Sequence, residues 1–122
     1  MRIAVASSEQ SLDSTVDFHT GRAPWFIVYD TNQETHEFID NWSCFACLHW
    51  AGSKSVDTLV RASVRAVIVR HIGPNAFRLV KREGISVFLA EESSVADAVR
   101  LFREGKLPSA ERPNCTGHVH LQ

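Results

Sequence analysis

The sequence predicts a three-layer α/β domain, in which a mixed five-stranded sheet carries packed helices and the elements follow the order β-β-β-α-β-α-β-α. Two observations predict this class. Alternating and β-branched runs come first, and later stretches with helical spacing are each followed by a short apolar run. The length of 122 residues and the hydrophobic content of 44% suit one domain with a core of its own.

The first three strands are predicted at residues 2–7, 25–30 and 34–40. Residues 2–7 alternate, with Ile3 and Val5 as the expected inward pair, and residues 25–30 are aromatic and β-branched. The polar triplet at residues 31–33 predicts the turn of a hairpin between the second and third strands. We expect His36, on the edge strand, to face solvent.

A change to helical spacing follows. Ser53 or Ser55 can cap a helix whose expected buried face consists of Val56, Leu59, Val60 and Val64. The unbroken apolar run within residues 65–70 then predicts a central strand that is covered on both faces. A parallel sheet follows from this order of elements.

The last elements have clear boundary signals. A helix is predicted at residues 74–83, with Pro74 in its first turn and Gly84 after its end, and a strand at residues 85–89. Ser94-x-x-Asp97 resembles a capping box and opens a third helix, which ends before Gly105. Residues 1–106 are therefore predicted to form the domain, and residues 107–122 a C-terminal tail.

Composition and charge exclude several classes of function. The net charge is −1 with both signs interspersed, so there is no electrostatic basis for binding nucleic acid or an anionic membrane. No apolar run approaches the roughly 18 residues of a membrane span, and the apolar run near the N-terminus is too short for a signal peptide. We expect a cytoplasmic protein.

All three cysteines and half of the six histidines fall into two short half-sites. One is Cys44-x-x-Cys47-x-His49, and the other is Cys115-x-x-His118-x-His120. Thiolate and imidazole groups favour zinc, copper(I) or iron–sulfur chemistry over magnesium or calcium. The alternative for the cysteine pair is packing among neighbouring aromatic residues, or a redox dithiol.

A second candidate region lies where parallel strands end, because ligands of open α/β sheets bind there. The loop from His71 to Asn75 follows the predicted fourth strand, and Gly73 with the start of the next helix offers backbone N–H groups to an anion. Ser7 and Ser8 follow the first strand and are candidate donors, although polar residues at strand ends are common. His71 is a candidate ligand or simply ends its strand.

The chain resembles the dinitrogenase iron–molybdenum cofactor binding family, of the NifX and NifB C-terminal type. The matching features run along almost the whole chain: MRIAVAS at residues 1–7, Leu12-Asp13 and Val16, His19-x-Gly21-Arg22-Ala23-Pro24 leading into Trp25-Phe26, IGPNAF at residues 72–77, Gly105-Lys106-Leu107, and Gly117-His118. The chain departs from the family at Thr20, where Phe is usual, and in the cysteine-containing segment 41–52.

The resemblance implies a ribonuclease H-like fold that holds a metal–sulfur cluster without nuclease carboxylates. His19 matches the histidine that contacts the cluster in the cofactor carriers. Arg22 can contact an anionic cluster with its planar set of donors or form a surface salt bridge. The cluster-facing set expected here is therefore His19, Arg22, His71, Gly73 and Asn75, with Cys44, Cys47, His49, Cys115 and His118 as further metal ligands.

These observations favour a non-catalytic carrier of an iron–sulfur or molybdenum-containing cluster, with cluster donor and acceptor proteins as partners. Neither a magnesium-binding set of carboxylates nor a cysteine protease signature is present, so we do not expect an enzyme. One alternative is a zinc-stabilised structural module built from Cys44, Cys47, His49 and Cys115 or His118, in which metal binding drives folding. Another is a thiol redox protein that uses Cys44 and Cys47.

Overall fold

Residues 1–16, 25–40, 57, 59–91 and 93–112 are described by a computed structural model. They contain five strands: β1 Arg2–Ser7, β2 Trp25–Asp30, β3 Thr35–Asp40, β4 Ala66–Val69 and β5 Ser86–Leu89. The strands form one sheet in the order β3-β2-β1-β4-β5. β2 is antiparallel to both of its neighbours, whereas β1, β4 and β5 are parallel. The predicted mixed five-stranded α/β sheet is confirmed.

Two helices have defined bounds in this part of the chain, α1 at Pro74–Arg82 and α2 at Val95–Arg103, and residues 57 and 59–61 are also helical. We call the end of the sheet where β1, β4 and β5 finish, at Ser7, Val69 and Leu89, the carboxyl edge. The opposite end, at Arg2, Ala66 and Ser86, is the amino edge. No helix among the described residues is long and apolar enough to cross a membrane.

The sheet separates two cores. Ala4 and Ala6 of β1 join the core on the first face, whereas Ile3 and Val5 join the core on the second face, and all four are fully buried. Successive strand residues point to opposite faces, and β1 has layers on both sides. Ile3 and Val5 are buried as expected, and Ala4 and Ala6 of this central strand are buried on the opposite face.

Each face has its own helix. α1 packs Ala76 and Val80 into the first core, and α2 packs Val95, Ala98 and Val99 into the second. β4 is buried along its whole length, as its apolar run predicted. The helices on opposite faces give the three layers.

The hairpin between β2 and β3 is closed by Asp30. Its Oδ1 atom accepts the backbone N–H groups of Asn32 and Gln33 at 2.9 and 3.2 Å. These two hydrogen bonds, that of Gln33 first, lower the pKa of the Asp30 carboxyl. Glu34 completes the turn with a φ of 56°. His36 lies on the edge strand and is exposed, as expected.

The helix that precedes β4 ends earlier than the sequence predicted. Ser63 has a φ of 62°, and its N–H bonds to the carbonyl of Val60 while the N–H of Val64 bonds to that of Leu59. This pair of bonds is a Schellman motif. Leu59 and Val64 are buried, but Val60 is 40% exposed, so its assignment to the buried face was wrong. Ser53, Ser55 and Val56 lie outside the described residues.

α1 and α2 end in the same motif, with glycine in the left-handed position. Gly84 has a φ of 78° and Gly105 a φ of 72°, as expected from their places after the two helices. At the start of α2, the Ser94 hydroxyl accepts the N–H of Asp97 at 3.2 Å. The predicted cap is therefore present.

Residues 107–112 lie beside the outer edge of β5. The N–H of Leu89 bonds to the carbonyl of Pro108 at 2.9 Å, and the N–H of Ala110 bonds to that of Val87 at 2.8 Å. Ala110 is buried in the first core. Because this segment is antiparallel to β5, it leads the chain from the carboxyl edge toward the amino edge.

Candidate functional site at the carboxyl edge

The strand register brings several chain segments to the carboxyl edge. Ser7 of β1 lies opposite Trp25 of β2, and Trp25 lies opposite Asp40 of β3. Residues 17–24 therefore join the sheet at Trp25, and the chain leaves it at Asp40 toward residues 41–56. The loop that begins at His71 follows β4 at this same edge.

The connections from β1 and β4 diverge. After β1 the chain passes to the second face, where Leu12 and Val16 pack against the core. After β4 it passes to the first face, where Ile72 and Ala76 are buried. Adjacent parallel strands whose connections leave to opposite faces open a crevice between them. The two connections therefore diverge between β1 and β4.

The N-terminus of α1 faces this edge without a side-chain cap. Gly73 occupies the cap position, Pro74 begins the helix, and no acidic residue lies in the first turn. Asn75 is exposed, and its Oδ1 atom accepts from Arg78 at 3.2 Å, which leaves its amide N–H groups as donors. An uncapped helix start attracts anions.

Gly73 has a φ of −83° and a ψ of 172°, an extended conformation that any residue can adopt. A left-handed backbone conformation is therefore not the reason for a glycine at this position. His71 is half-buried beside the fully buried Ile72. Together with Asn75, these are the cluster-facing candidates that the described part of the chain contains.

The serines after β1 have structural partners. Ser7 is fully buried, and its Oγ atom lies 2.6 Å from the Glu9 carbonyl and 2.6 Å from the Ser14 hydroxyl. Ser8 donates to the Thr15 carbonyl at 3.4 Å. The ordinary role of polar residues at a strand end, and not donation to a ligand, accounts for both.

Ser93 is a polar residue at this edge that the sequence did not indicate. Its carbonyl accepts the N–H of Val16 at 3.0 Å, and Val16 pairs with Ser7. Its buried Oγ atom has no hydrogen-bond partner within the described ranges. A buried hydroxyl without a partner is unfavourable, but a serine directly before a helix cap gives no sequence signal of such a position.

The other predicted ligands lie outside the described residues: His19, Arg22, Cys44, Cys47, His49, Cys115 and His118. Chain length limits where two of them can be. His19 follows Val16 by three residues, and Cys44 follows Asp40 by four, which allows at most about 11 and 14 Å at roughly 3.6 Å per residue. No group of three or more His, Cys, Asp or Glu residues in the described part of the chain could hold a metal ion.

The fold and this edge define an α/β protein in which the connections of β1 and β4 diverge beside an uncapped helix start, an arrangement suited to an anionic ligand. The chain belongs to the dinitrogenase iron–molybdenum cofactor family, whose sequence model matches residues 1–105. The resemblance found in the sequence motifs is thereby confirmed. Members of this family bind the iron–molybdenum cofactor or related clusters.

Three relatives illustrate the match. The apo form of the orange protein from Desulfovibrio gigas is 33% identical, with a TM-score of 0.90 over 93% of this chain and 96% of that chain. A protein assigned as NifB from Thermotoga is 32% identical, with a TM-score of 0.77 over 88% of this chain and 91% of that chain. An uncharacterised protein from Methanocaldococcus jannaschii is 32% identical over 96 residues, which are 76% of this chain and 80% of the relative.

Proposed function

We propose that this protein carries an iron–sulfur or molybdenum-containing cluster as cargo at the carboxyl edge, without catalysing a reaction itself. The observation that carries the proposal is the divergence of the β1 and β4 connections at the edge where residues 17–24 and 41–56 join the sheet. The family match supplies the class of cargo. The partners are proteins that donate the cluster to this chain or accept it from this chain.

In this proposal His19, Cys44 and Cys47 ligate the cluster, and His49 and His71 are further ligands. The short connections from Val16 to His19 and from Asp40 to Cys44 support placing these ligands near the crevice. Imidazole and thiolate groups suit iron, copper(I) and zinc. A cluster fixed by protein thiolates is held more firmly than one held by hydrogen bonds alone.

In this proposal one cation and several hydrogen-bond donors stabilise the negative charge of the cargo. Arg22 supplies a planar set of donors, while Gly73 and Asn75 present the uncapped start of α1. The buried Ser93 hydroxyl supports the same interpretation, because a sulfide or other acceptor in the crevice would give it a partner. We assign it as a donor to the cargo.

The tail plays a secondary part in this proposal. The segment from Pro108 to Ala110 runs away from the carboxyl edge, so Cys115 and His118 would have to return across the sheet to reach Cys44. Because residues 108–110 bond to β5 and Ala110 is buried in the first core, we propose that the domain extends beyond residue 106. We also assign the sheet to the ribonuclease H-like class, supported by its strand order and by β2 running against the other strands.

Anaerobic purification followed by visible absorption spectroscopy and metal analysis tests the proposal. We expect charge-transfer bands with iron, molybdenum or copper, either as isolated or after incubation with iron or tetrathiomolybdate and sulfide. Cys44→Ser with Cys47→Ser, and separately His19→Ala, should abolish or strongly weaken these bands. A colourless protein with one zinc, destabilised by the cysteine replacements, would instead establish the structural module.

Matched controls separate the residues at the carboxyl edge from others of the same type. His36→Ala removes an exposed histidine of the edge strand and should leave the bands unchanged. Cys115→Ser removes a thiol of the tail and should change them little. Equal loss of the bands in all the variants, or a folded protein that takes up no metal under any of these conditions, would contradict the proposal.

A further inference from the structure

A groove of about 560 Å³ lies on the second face, between the loop after β1, Tyr29 of β2 and α2. Tyr29 pairs with Ile3, which lies four residues before Ser7 in β1. At about 3.3 Å per residue, Tyr29 therefore lies roughly 13 Å from the carboxyl edge. We call this cavity the α2 groove. Its lining consists of Leu12, Tyr29, Ala96, Val99, Arg100, Arg103 and Glu104. It is separate from the proposed cluster site.

Arg103 gives the α2 groove its chemistry. Its Nη1 atom donates to the Tyr29 hydroxyl at 3.2 Å, and its guanidinium carbon lies 6.0 Å from the centre of the tyrosine ring. No carboxylate within the described residues lies within 4.0 Å of it. Tyr29 thus orients a guanidinium group whose remaining donors face no anion of the described chain.

The other charges around the groove are already paired. Arg100 lies 3.7 Å from Asp97 and 3.5 Å from Glu104, and Lys106 lies 3.2 Å from Glu104. Lys106, through a hydrogen bond and its charge, and then Arg100 lower the pKa of Glu104, which is consistent with an ionised carboxylate. These two cations and two anions balance one another, so no carboxylate of the described chain compensates the charge of Arg103.

An apolar surface lies beside this cation. Leu12 is half-buried, Val99 is 6% exposed, and Ala96 is held against the loop by the bond from its N–H to the Leu12 carbonyl at 2.9 Å. A few convergent polar groups beside an apolar wall, in a volume of roughly 300–1,000 Å³, characterise small-molecule sites. The groove can accept an anionic head and a short apolar body together.

We propose that the α2 groove binds a small organic carboxylate with an apolar body. Its carboxylate accepts from the guanidinium group of Arg103, and its body packs on Leu12, Ala96 and Val99. The site is independent of the cluster at the carboxyl edge, because the two share no residue. A ligand here gives the protein a second binding function, on the second face of the sheet.

Titration of the ¹⁵N-labelled full chain with hexanoate, monitored by NMR, tests this proposal. We expect saturable shifts at Leu12, Tyr29, Val99 and Arg103, and binding at least about tenfold weaker for hexanamide, which has the same body without the charge. Equal binding of the acid and the amide would show that the cation does not select the ligand. Shifts confined to other residues, or no saturation, would overturn the proposal.

Variants of the arginine complete the test. Arg103→Gln should weaken hexanoate binding about tenfold, and Arg103→Lys should lie between it and the parent chain, because the charge remains without the planar set of donors. Arg82→Gln removes an exposed arginine of α1 on the opposite face and should change nothing. An Arg103→Gln variant that is folded and binds like the parent chain would sink the assignment.

Discussion

The two edges of the sheet differ in the partners of their polar groups. At the amino edge, backbone bonds join neighbouring segments directly: Thr31 to Met1 at 2.9 Å, Arg65 to Arg2 at 2.8 Å and Ser86 to Arg65 at 3.0 Å. At the carboxyl edge, α1 starts without a side-chain cap and the Ser93 hydroxyl is buried without a partner in the described structure.

We propose that this difference separates stability from binding. Tight turns and Schellman motifs satisfy backbone groups at the amino edge with bonds inside the chain. At the carboxyl edge, the Ser93 hydroxyl lacks a partner among the described residues, and the proposed cargo would supply one. Changes to groups that face the proposed cargo should therefore alter loading, and changes at the amino edge should alter unfolding.

The largest effect is expected from Gly73→Asp. An aspartate at this position can cap α1, but it also places a negative charge where we propose an anionic cluster. We expect cluster loading to weaken by about tenfold or more, since like charges at short range repel, while thermal stability is kept or raised. Loading measured by absorbance at fixed cluster concentration, alongside thermal unfolding, checks both expectations.

Gly73→Ala is the matched control, because it adds the β-carbon without the charge. If Gly73→Ala loses loading to the same degree, then space and not charge limits the site, and the anion-binding role of the helix start would be wrong.

Ser94→Ala offers the opposite comparison. It removes the hydroxyl that caps α2 and should lower stability by about 1 kcal/mol with little effect on loading.

Much of the fold that forms the two edges can be predicted from the sequence. The apolar run of β4, the proline and glycine around α1, and the Ser94 cap gave the elements of the sheet and two helices close to their observed bounds. These signals are local, because each depends on backbone preferences within a few residues. The convergence of the predicted site loops at the carboxyl edge also followed, since the element order dictates where parallel strands end.

Other features depend on contacts between distant segments, which a single sequence does not reveal. Val60 has the spacing of a buried residue but is exposed, because the helix ends at a motif centred on a serine and not a glycine. The buried hydroxyl of Ser93 depends on its neighbour Val16, 77 positions earlier in the numbering. The α2 groove likewise joins Leu12, Tyr29 and Arg103 from three separate elements.

Two substitutions near the amino edge should change stability in opposite directions. Gly84→Ala places a β-carbon on a residue with a φ of 78°, and nothing lies within 4 Å of that carbon, so the cost is conformational. We expect a loss of about 1 kcal/mol. Ser63→Gly relieves the same conformation, at a φ of 62°, and should gain up to about 1 kcal/mol.

Chemical denaturation checks both changes in the free energy of unfolding, provided that its dependence on denaturant concentration is the same in the variants and the parent chain. Cluster loading should be the same in the two variants and the parent chain. A stabilising Gly84→Ala would mean that the left-handed conformation is not kept in solution. A change in loading would contradict the separation of the two edges.

The smallest effect concerns the pH dependence of the β2–β3 turn. The pKa of Asp30 is lowered in the folded chain by bonds from Gln33 and Asn32, so the ionised carboxylate stabilises the fold. That contribution is complete above the ordinary carboxyl pKa of about 4 and is lost as the pH falls through the lower folded value. Asp30→Asn keeps an oxygen acceptor but does not titrate.

The stability difference between parent and variant should therefore shrink on acidification, measured by urea unfolding from pH 7 down to pH 3. A difference independent of pH would mean that the turn is held by geometry alone, and that the charge of Asp30 contributes nothing to closing the amino edge.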